Sequence, residues 1–179
     1  MLQVTVPPLE LYDESENRFR NTKETVLRLE HSLVSLSKWE SVWRKPFLSA
    51  KGVTPDEFRD YIRCMSLTQN VDPNVYRYFP DSLIPAVHEY IDTPQTATTF
   101  SSRGNQPPSR EIVTSEVIYF WMVANGIPFE AQKWHLSRLL TLIRVCNVKS
   151  DNKKMPKSAV MKQNSALNKA RRARMGSRG

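Results

Sequence analysis

Residues 109–146 read SREIVTSEVIYFWMVANGIPFEAQKWHLSRLLTLIRVC, and this stretch decides the fold class. Behind Ser109, the residues Ile112, Val113, Val117, Tyr119, Phe120, Trp121 and Val123 recur at helical spacing. Glu111 stands in the first turn, where a carboxylate favours a helix N-terminus. Asn125-Gly126 ends the run, because glycine takes the left-handed conformation that closes a helix without a Cβ penalty. A second helix is predicted to start near Pro128 and to pass through Phe129, Trp134, Leu136, Leu139, Leu140, Leu142, Ile143 and Cys146. The Asn125-Gly126-Ile127 connection joins the two as an antiparallel hairpin. Both helices are apolar on nearly all sides, so the hairpin is expected to be the core of the fold, or partly a docking surface.

Upstream, residues 93–108 are rich in serine, threonine, glycine and proline, with Phe100 the main apolar residue, which predicts a flexible loop. Before it, residues 81–91 place Leu83, Ile84, Val87 and Ile91 on one side of a short helix, and Asp72-Pro73 and Pro80-Asp81 punctuate a loop-rich region. Thr54-Pro55-Asp56-Glu57 predicts a helix start with a reason at each position. The threonine hydroxyl can accept from an orphan amide, the proline loses no needed donor, and Glu57 can complete a capping box. Phe58, Tyr61, Ile62 and Met65 form the buried stripe behind that cap. From Leu33 onward, Leu36, Trp39, Trp43 and Phe47 recur every three or four residues, giving a helix that Pro46 is expected to end. Residues 25–31 alternate as a half-buried strand, and residues 2–6, closed by Pro7-Pro8, are its expected pairing partner. The stretch from 12 to 21 is polar and charged.

These elements predict a mainly α, small helical domain with an antiparallel C-terminal helical hairpin and a minor N-terminal β-hairpin. The folded part covers residues 1–148, and a basic tail follows over 149–179. The tail carries ten lysines and arginines against Asp151 alone, a net charge of +9, whereas the whole chain is +8. The high pI is therefore a property of the tail and not of the folded surface. Only 5 glycines in 179 residues weigh against a chain built from tight β-turns. No segment approaches the roughly 18 consecutive apolar residues of a membrane span, and no signal-peptide pattern opens the chain, so a cytosolic protein is expected. Cys64 and Cys146 lie in apolar helical patterns and read as buried thiols rather than a disulfide.

Catalytic and metal-binding signatures are absent. His31, His88 and His135 fall in different elements with no metal-ligand spacing, and each reads as structural or exposed. A set such as Cys64, His88 and Asp92 could be imagined as a nucleophile constellation, but the i, i+4 spacing of His88 and Asp92 fits a surface pair better. No cofactor is expected. In the tail, Lys153, Lys154, Lys157, Lys162, Lys169, Arg171, Arg172 and Arg174 could release counterions from phosphates. Aromatic residues that would stack on bases are missing there, so nucleic acid is not the expected partner and a solvated arm is the simpler reading.

Four runs carry a family resemblance: residues 29–47 (LEHSLVSLSKWESVWRKPF), residues 90–100 (YIDTPQTATTF), residues 109–130, and WHLSRLLTLIRVCN over 134–147. Together with ALNKARR at 166–172, they resemble the tail assembly chaperones of long-tailed, siphovirus-type bacteriophages. The resemblance implies a non-enzymatic protein of the host-cell cytoplasm that binds the tape-measure protein. It would keep that client soluble until tail-tube subunits displace it, and it would be missing from the mature virion. The tail-tube protein and further copies of the chain are the other implied partners. In this family a programmed frameshift commonly appends a second domain near the C-terminus. No residue-level site follows from the resemblance. Composition and spacing nominate Trp39, Trp43, Trp121, Met122, Phe129 and Trp134 as a client face, because aromatic and methionine side chains adapt to varied partners. A structural virion component and a nucleic-acid-binding protein remain the alternative readings.

Overall fold

A computed structural model of the protein describes residues 1–8, 10–13, 17–49, 52–100, 112–154, 161–162, 164–166, 168 and 171. The chain divides into two compact units, Met1–Ile143 and Arg144–Gly179. The first is mainly helical and holds a small β-structure at its N-terminal end.

Strands β1 (Leu2–Val6) and β4 (Thr25–Leu29) pair antiparallel with Val4 opposite Leu27, as their alternation predicts. Val4, Val6, Leu27 and Leu29 face inward, while Gln3, Thr5 and Arg28 face solvent. The far edge of β4 is also covered. The Glu30 amide donates to the Met65 carbonyl (2.9 Å), the Leu67 amide donates to the Arg28 carbonyl (2.8 Å), and Leu29 bridges Ser66. Between these strands, β2 (Glu10–Asp13) and β3 (Arg18–Asn21) form a second hairpin in the stretch that reads as merely polar. Its pairing shows in one cross-strand contact, Tyr12 against Phe19 with ring centroids 5.2 Å apart.

Helix α1 (Leu33–Trp43) starts at a Ser32–Ser35 capping box. It ends earlier than the aromatic spacing implies: Arg44 turns left-handed at φ 54°, and a proline at position 46 disfavours helical backbone at the residue before it. Phe47 therefore sits in a 3-10 turn (Phe47–Ser49) outside the helix, yet it stacks on Tyr61 at 3.9 Å and meets Trp39 edge-on at 5.0 Å. Helix α2 (Pro55–Met65) follows the predicted Thr54 cap. The Glu57 amide donates to the Thr54 hydroxyl (3.3 Å), and the Thr54 amide donates to the Glu57 carboxylate (2.9 Å). Lys45 adds an ion pair to the same carboxylate, and these contacts hold the Glu57 carboxyl below its ordinary pKa. Thr54→Ala should lower stability by about 1 kcal/mol in urea unfolding, the cost of an N-cap.

The region expected to be loop contains a short helix, α3 (Pro73–Arg77), capped by the Asp72 carboxylate accepting from the Asn74 amide (2.9 Å). A 3-10 turn (Asp81–Leu83) leads into α4 (Ile84–Asp92), which buries Val87 and Tyr90. Residues 94–100 are irregular, and the remainder of the predicted loop lies outside the described residues.

The C-terminal elements correct the hairpin expectation. Helix α5 spans Ser115–Ala124, so Ile112, Val113 and Thr114 precede it, and Ser109, Arg110 and Glu111 lie outside the described residues. Its end is the predicted one. Gly126 adopts φ 63°, its amide donates to the Val123 carbonyl (3.1 Å), and the Ile127 amide donates to the Met122 carbonyl (2.9 Å), a Schellman closure. The chain then takes a 3-10 path over Phe129–Lys133, and α6 begins only at Leu136 and continues to Lys154. Helix α5 packs mainly on α1 and not along α6. The main apolar cluster joins β1, β4, α1, α2, α3 and α4, with Trp39, Tyr61, Ile62 and Val87 at its centre. Ile118, Met122, Leu136, Leu139 and Ile143 are buried too, but outside that cluster. The reason is amphipathic register: each C-terminal helix gives one narrow stripe to the interior, and uniform apolarity conceals which stripe.

Candidate functional site

Beyond Glu116 in its first turn, the outward face of α5 is apolar. Ser115, Ile118 and Met122 point inward at helical spacing, which turns Phe120 and Val123 to solvent at 68% and 62% exposure. Phe129, 55% exposed, extends this surface, since its ring lies 6.4 Å from Tyr119 and the Tyr119 hydroxyl donates to Gln132 (2.8 Å) in the same 3-10 segment. Trp134, 40% exposed, has the Arg138 guanidinium over its ring at 5.0 Å. An aromatic ring kept in water loses the burial that would otherwise stabilise it by about 1.5–3 kcal/mol. Two phenylalanines and a tryptophan left outside one short stretch therefore mark the surface as more than incidental.

Helix α5 is held in place by Glu40, a buried carboxylate on α1. Its Oε2 accepts from the Ser115 amide (2.7 Å) at the start of α5, and its Oε1 accepts from the Phe47 amide (3.0 Å). Thr114, the cap residue of α5, supplies no side-chain cap of its own. A carboxylate borrowed from 75 residues away thus satisfies the orphan amide and sits favourably at the positive end of the helix dipole.

Of the six residues nominated for a client face, Phe129 and Trp134 are exposed, and Trp43 and Trp121 are half-buried. Trp39 and Met122 are fully buried and cannot form a free surface, which corrects that nomination. The indole of Trp39 donates to the Glu57 carbonyl (2.8 Å), and that of Trp43 donates to the Asp60 carboxylate (2.9 Å), so both are anchored against α2. Sequence reasoning missed Phe120 and Val123. The available signal was Glu116, the one charged residue of the helix, which Phe120 follows by four positions and Val123 by seven, on the same outward side.

The histidines are not scattered as their sequence positions suggest. His31 and His135 are both buried with ring centroids 5.2 Å apart, while His88 stacks on Phe58 at 4.2 Å. Among the described residues no group of three potential metal ligands occurs. Cys64 and Cys146 are free thiols, Cys64 buried and Cys146 half-buried. Burial, followed by the nearby Asp60 charge, pushes the Cys64 thiol up and makes it a poor nucleophile, and its polar contact is the Arg63 guanidinium at 3.8 Å.

A cleft of about 330 Å³ beside α2 and α3 is lined by Arg59, Arg63 and Arg77. Arg59 pairs with Asp56 (3.3 Å) and Asp81 (2.8 Å), and Arg63 pairs with Asp60 (2.7 Å). Asp56 and Asp60 line the cleft with the three arginines, so most of its positive charge is already paired within the protein. In the tail, Lys162 and Arg171 are exposed. Lys153 and Lys154 belong to the last turn of α6, and Lys157, Lys169, Arg172 and Arg174 lie outside the described residues. No described helix is long and apolar enough to cross a membrane. Comparisons with protein-family models, with curated proteins and with solved structures find no match.

Proposed function

We propose that the chain is a tail assembly chaperone of a long-tailed bacteriophage, binding the apolar tape-measure protein in the host cytoplasm and leaving before the virion matures. The observation that carries this reading is the outward apolar face of α5, with Phe120, Val123 and the adjoining Phe129 exposed together. The sequence runs that resemble the chaperone family include this helix. A long helical client with apolar stripes self-associates unless they are covered, and a small exposed aromatic surface repeated over many copies suits that task. Each contact must also yield when tube subunits arrive. Weak sites acting in number meet both needs, because avidity is lost once neighbouring copies are displaced.

Co-expression with the tape-measure protein of the same phage tests the proposal. The wild-type chain is expected to solubilise and co-purify with that protein. Phe120→Asp combined with Val123→Asp is expected to abolish co-purification while leaving the urea midpoint nearly unchanged, since both side chains are already in water. A wild-type chain that leaves the tape-measure protein insoluble removes the chaperone reading. Stoichiometric copies in purified virions would favour a structural tail component instead.

A further inference from the structure

We propose that the buried imidazoles of His31 and His135 form an acid-sensitive latch that fastens the start of α6 to the junction between β4 and α1. The junction is a short backbone clasp: the Leu136 amide donates to the His31 carbonyl (2.7 Å), and Ser32 bridges His135 antiparallel. The two rings lie beside this clasp, edge to face at 65°. Opening it would expose Leu136, Leu139 and Ile143, the buried stripe of α6.

The hydrogen bonds around His135 require a neutral ring. Its Nε2 faces the Tyr90 carbonyl at 3.3 Å, which can only accept, so Nε2 carries the proton. Its Nδ1 faces the Ser137 amide at 3.3 Å, which can only donate, so Nδ1 must offer a lone pair; the Ser137 hydroxyl is also near at 2.8 Å. Protonating Nδ1 would set two N–H groups against each other. The Nδ1 of His31 sits 2.6 Å from the Tyr61 hydroxyl, and the His135 ring packs against the His31 ring.

The surrounding charges do not rescue a cation. Just after β4, the Glu30 carboxylate is taken by the Tyr90 hydroxyl of α4 (2.8 Å) and by the α-amino group of Met1 beside β1 (3.1 Å). Helix α2 contributes Tyr61 and Cys64, α6 contributes Arg138, and the Glu40 carboxylate of α1 bonds the Phe47 and Ser115 amides. Burial dominates: it takes His31 down to about 3, with the His135 charge as second cause, and it lowers His135 despite the opposing pull of the Tyr90 carbonyl and Glu30. An open latch therefore binds protons that the closed one refuses. Closure is complete above the ordinary histidine value of 6.5 and weakens as the pH falls from there toward 3.

The test is amide hydrogen exchange on the full chain at pH 7.5 and 5.0, corrected for intrinsic rates, together with NMR titration of the imidazole rings. Residues 136–143 are expected to lose protection by about tenfold or more at pH 5.0, since each linked proton contributes up to tenfold per pH unit. Helix α2 is expected to keep its protection. The double variant His31→Gln, His135→Gln is expected to show no such acid response. If that variant fails to fold, the wild-type rings decide: both are expected to stay neutral in the folded protein down to pH 5.5. Rings that titrate near 6.5 with residues 136–143 still protected, or loss of protection by α2 and residues 136–143 together, would overturn the latch.

Discussion

Replacing Trp39 by alanine is expected to lower the stability of the fold by about 3–5 kcal/mol, the range for removing a buried aromatic side chain. The indole is fully buried between α1 and α2 and donates to the Glu57 carbonyl. It meets Phe47 and Tyr61 edge-on, at 80° and 90°, and lies 6.3 Å from Trp43. Edge-to-face geometry sets the positive ring edge on a negative face, so alanine loses those pairings as well as the burial and leaves a cavity. Against a total stability of about 5–15 kcal/mol for a domain, this loss is large. Urea unfolding should show a lower midpoint at unchanged slope. Trp39→Phe, which keeps a ring and removes only the N–H donor and some volume, should cost roughly half as much. A loss below about 1 kcal/mol for the alanine variant would contradict the placement of Trp39 in the core.

Glu40→Ala is expected to be the second most damaging change, at about 3 kcal/mol. It leaves two backbone donors, the Phe47 and Ser115 amides, without the charged acceptor that both use. It also removes negative charge from the N-terminus of α5. The damage should be local in the first instance. Hydrogen exchange over 115–124 is expected to speed up more than exchange over α2, because α5 loses both its cap and its tie to α1. Glu40→Gln keeps one acceptor oxygen and turns the other group into a donor, so its cost should be intermediate. Equal exchange rates for α5 in wild type and Glu40→Ala would show that the carboxylate does not hold the helix. This variant also probes the proposed client face from behind, since Phe120 and Val123 are presented by a helix that Glu40 positions.

Local signals were readable wherever their causes were local. The Thr54–Glu57 box, the Asn125-Gly126 stop, the stripe Phe58, Tyr61, Ile62 and Met65, and the pairing of residues 2–6 with 25–29 each rest on interactions within a few residues or on strict alternation. The Asp72 cap of α3 is equally local, with Pro73 at the first helical position, but a five-residue helix shows too little periodicity to mark it. The β2–β3 hairpin leaves little sequence signal because its strands are short and mostly polar, with the pairing of Tyr12 and Phe19 as its main trace.

The candidate site was half legible. Of the aromatic and methionine residues that composition points to, Phe129 and Trp134 are exposed, whereas Trp39 and Met122 are buried. A tryptophan's chemistry suits a core and an interface equally well, so residue type alone could not sort them. In α5 the apolar residues occupy nearly every angle of the helix, and only the position of its partner, α1, selects which of them are covered.

By itself, then, the sequence determined the mainly helical class, the N-terminal strand pair and several helix ends, because propensity, capping and alternation act over one to four residues. The tertiary structure alone decided that Glu40 caps a helix 75 residues away, that His31 and His135 share one buried site, and that α5 turns Phe120 and Val123 to solvent. Those outcomes depend on which surfaces meet when the chain collapses. Hydrophobic burial is non-directional, so it draws apolar helices together without encoding in any one of them the face that will be left outside.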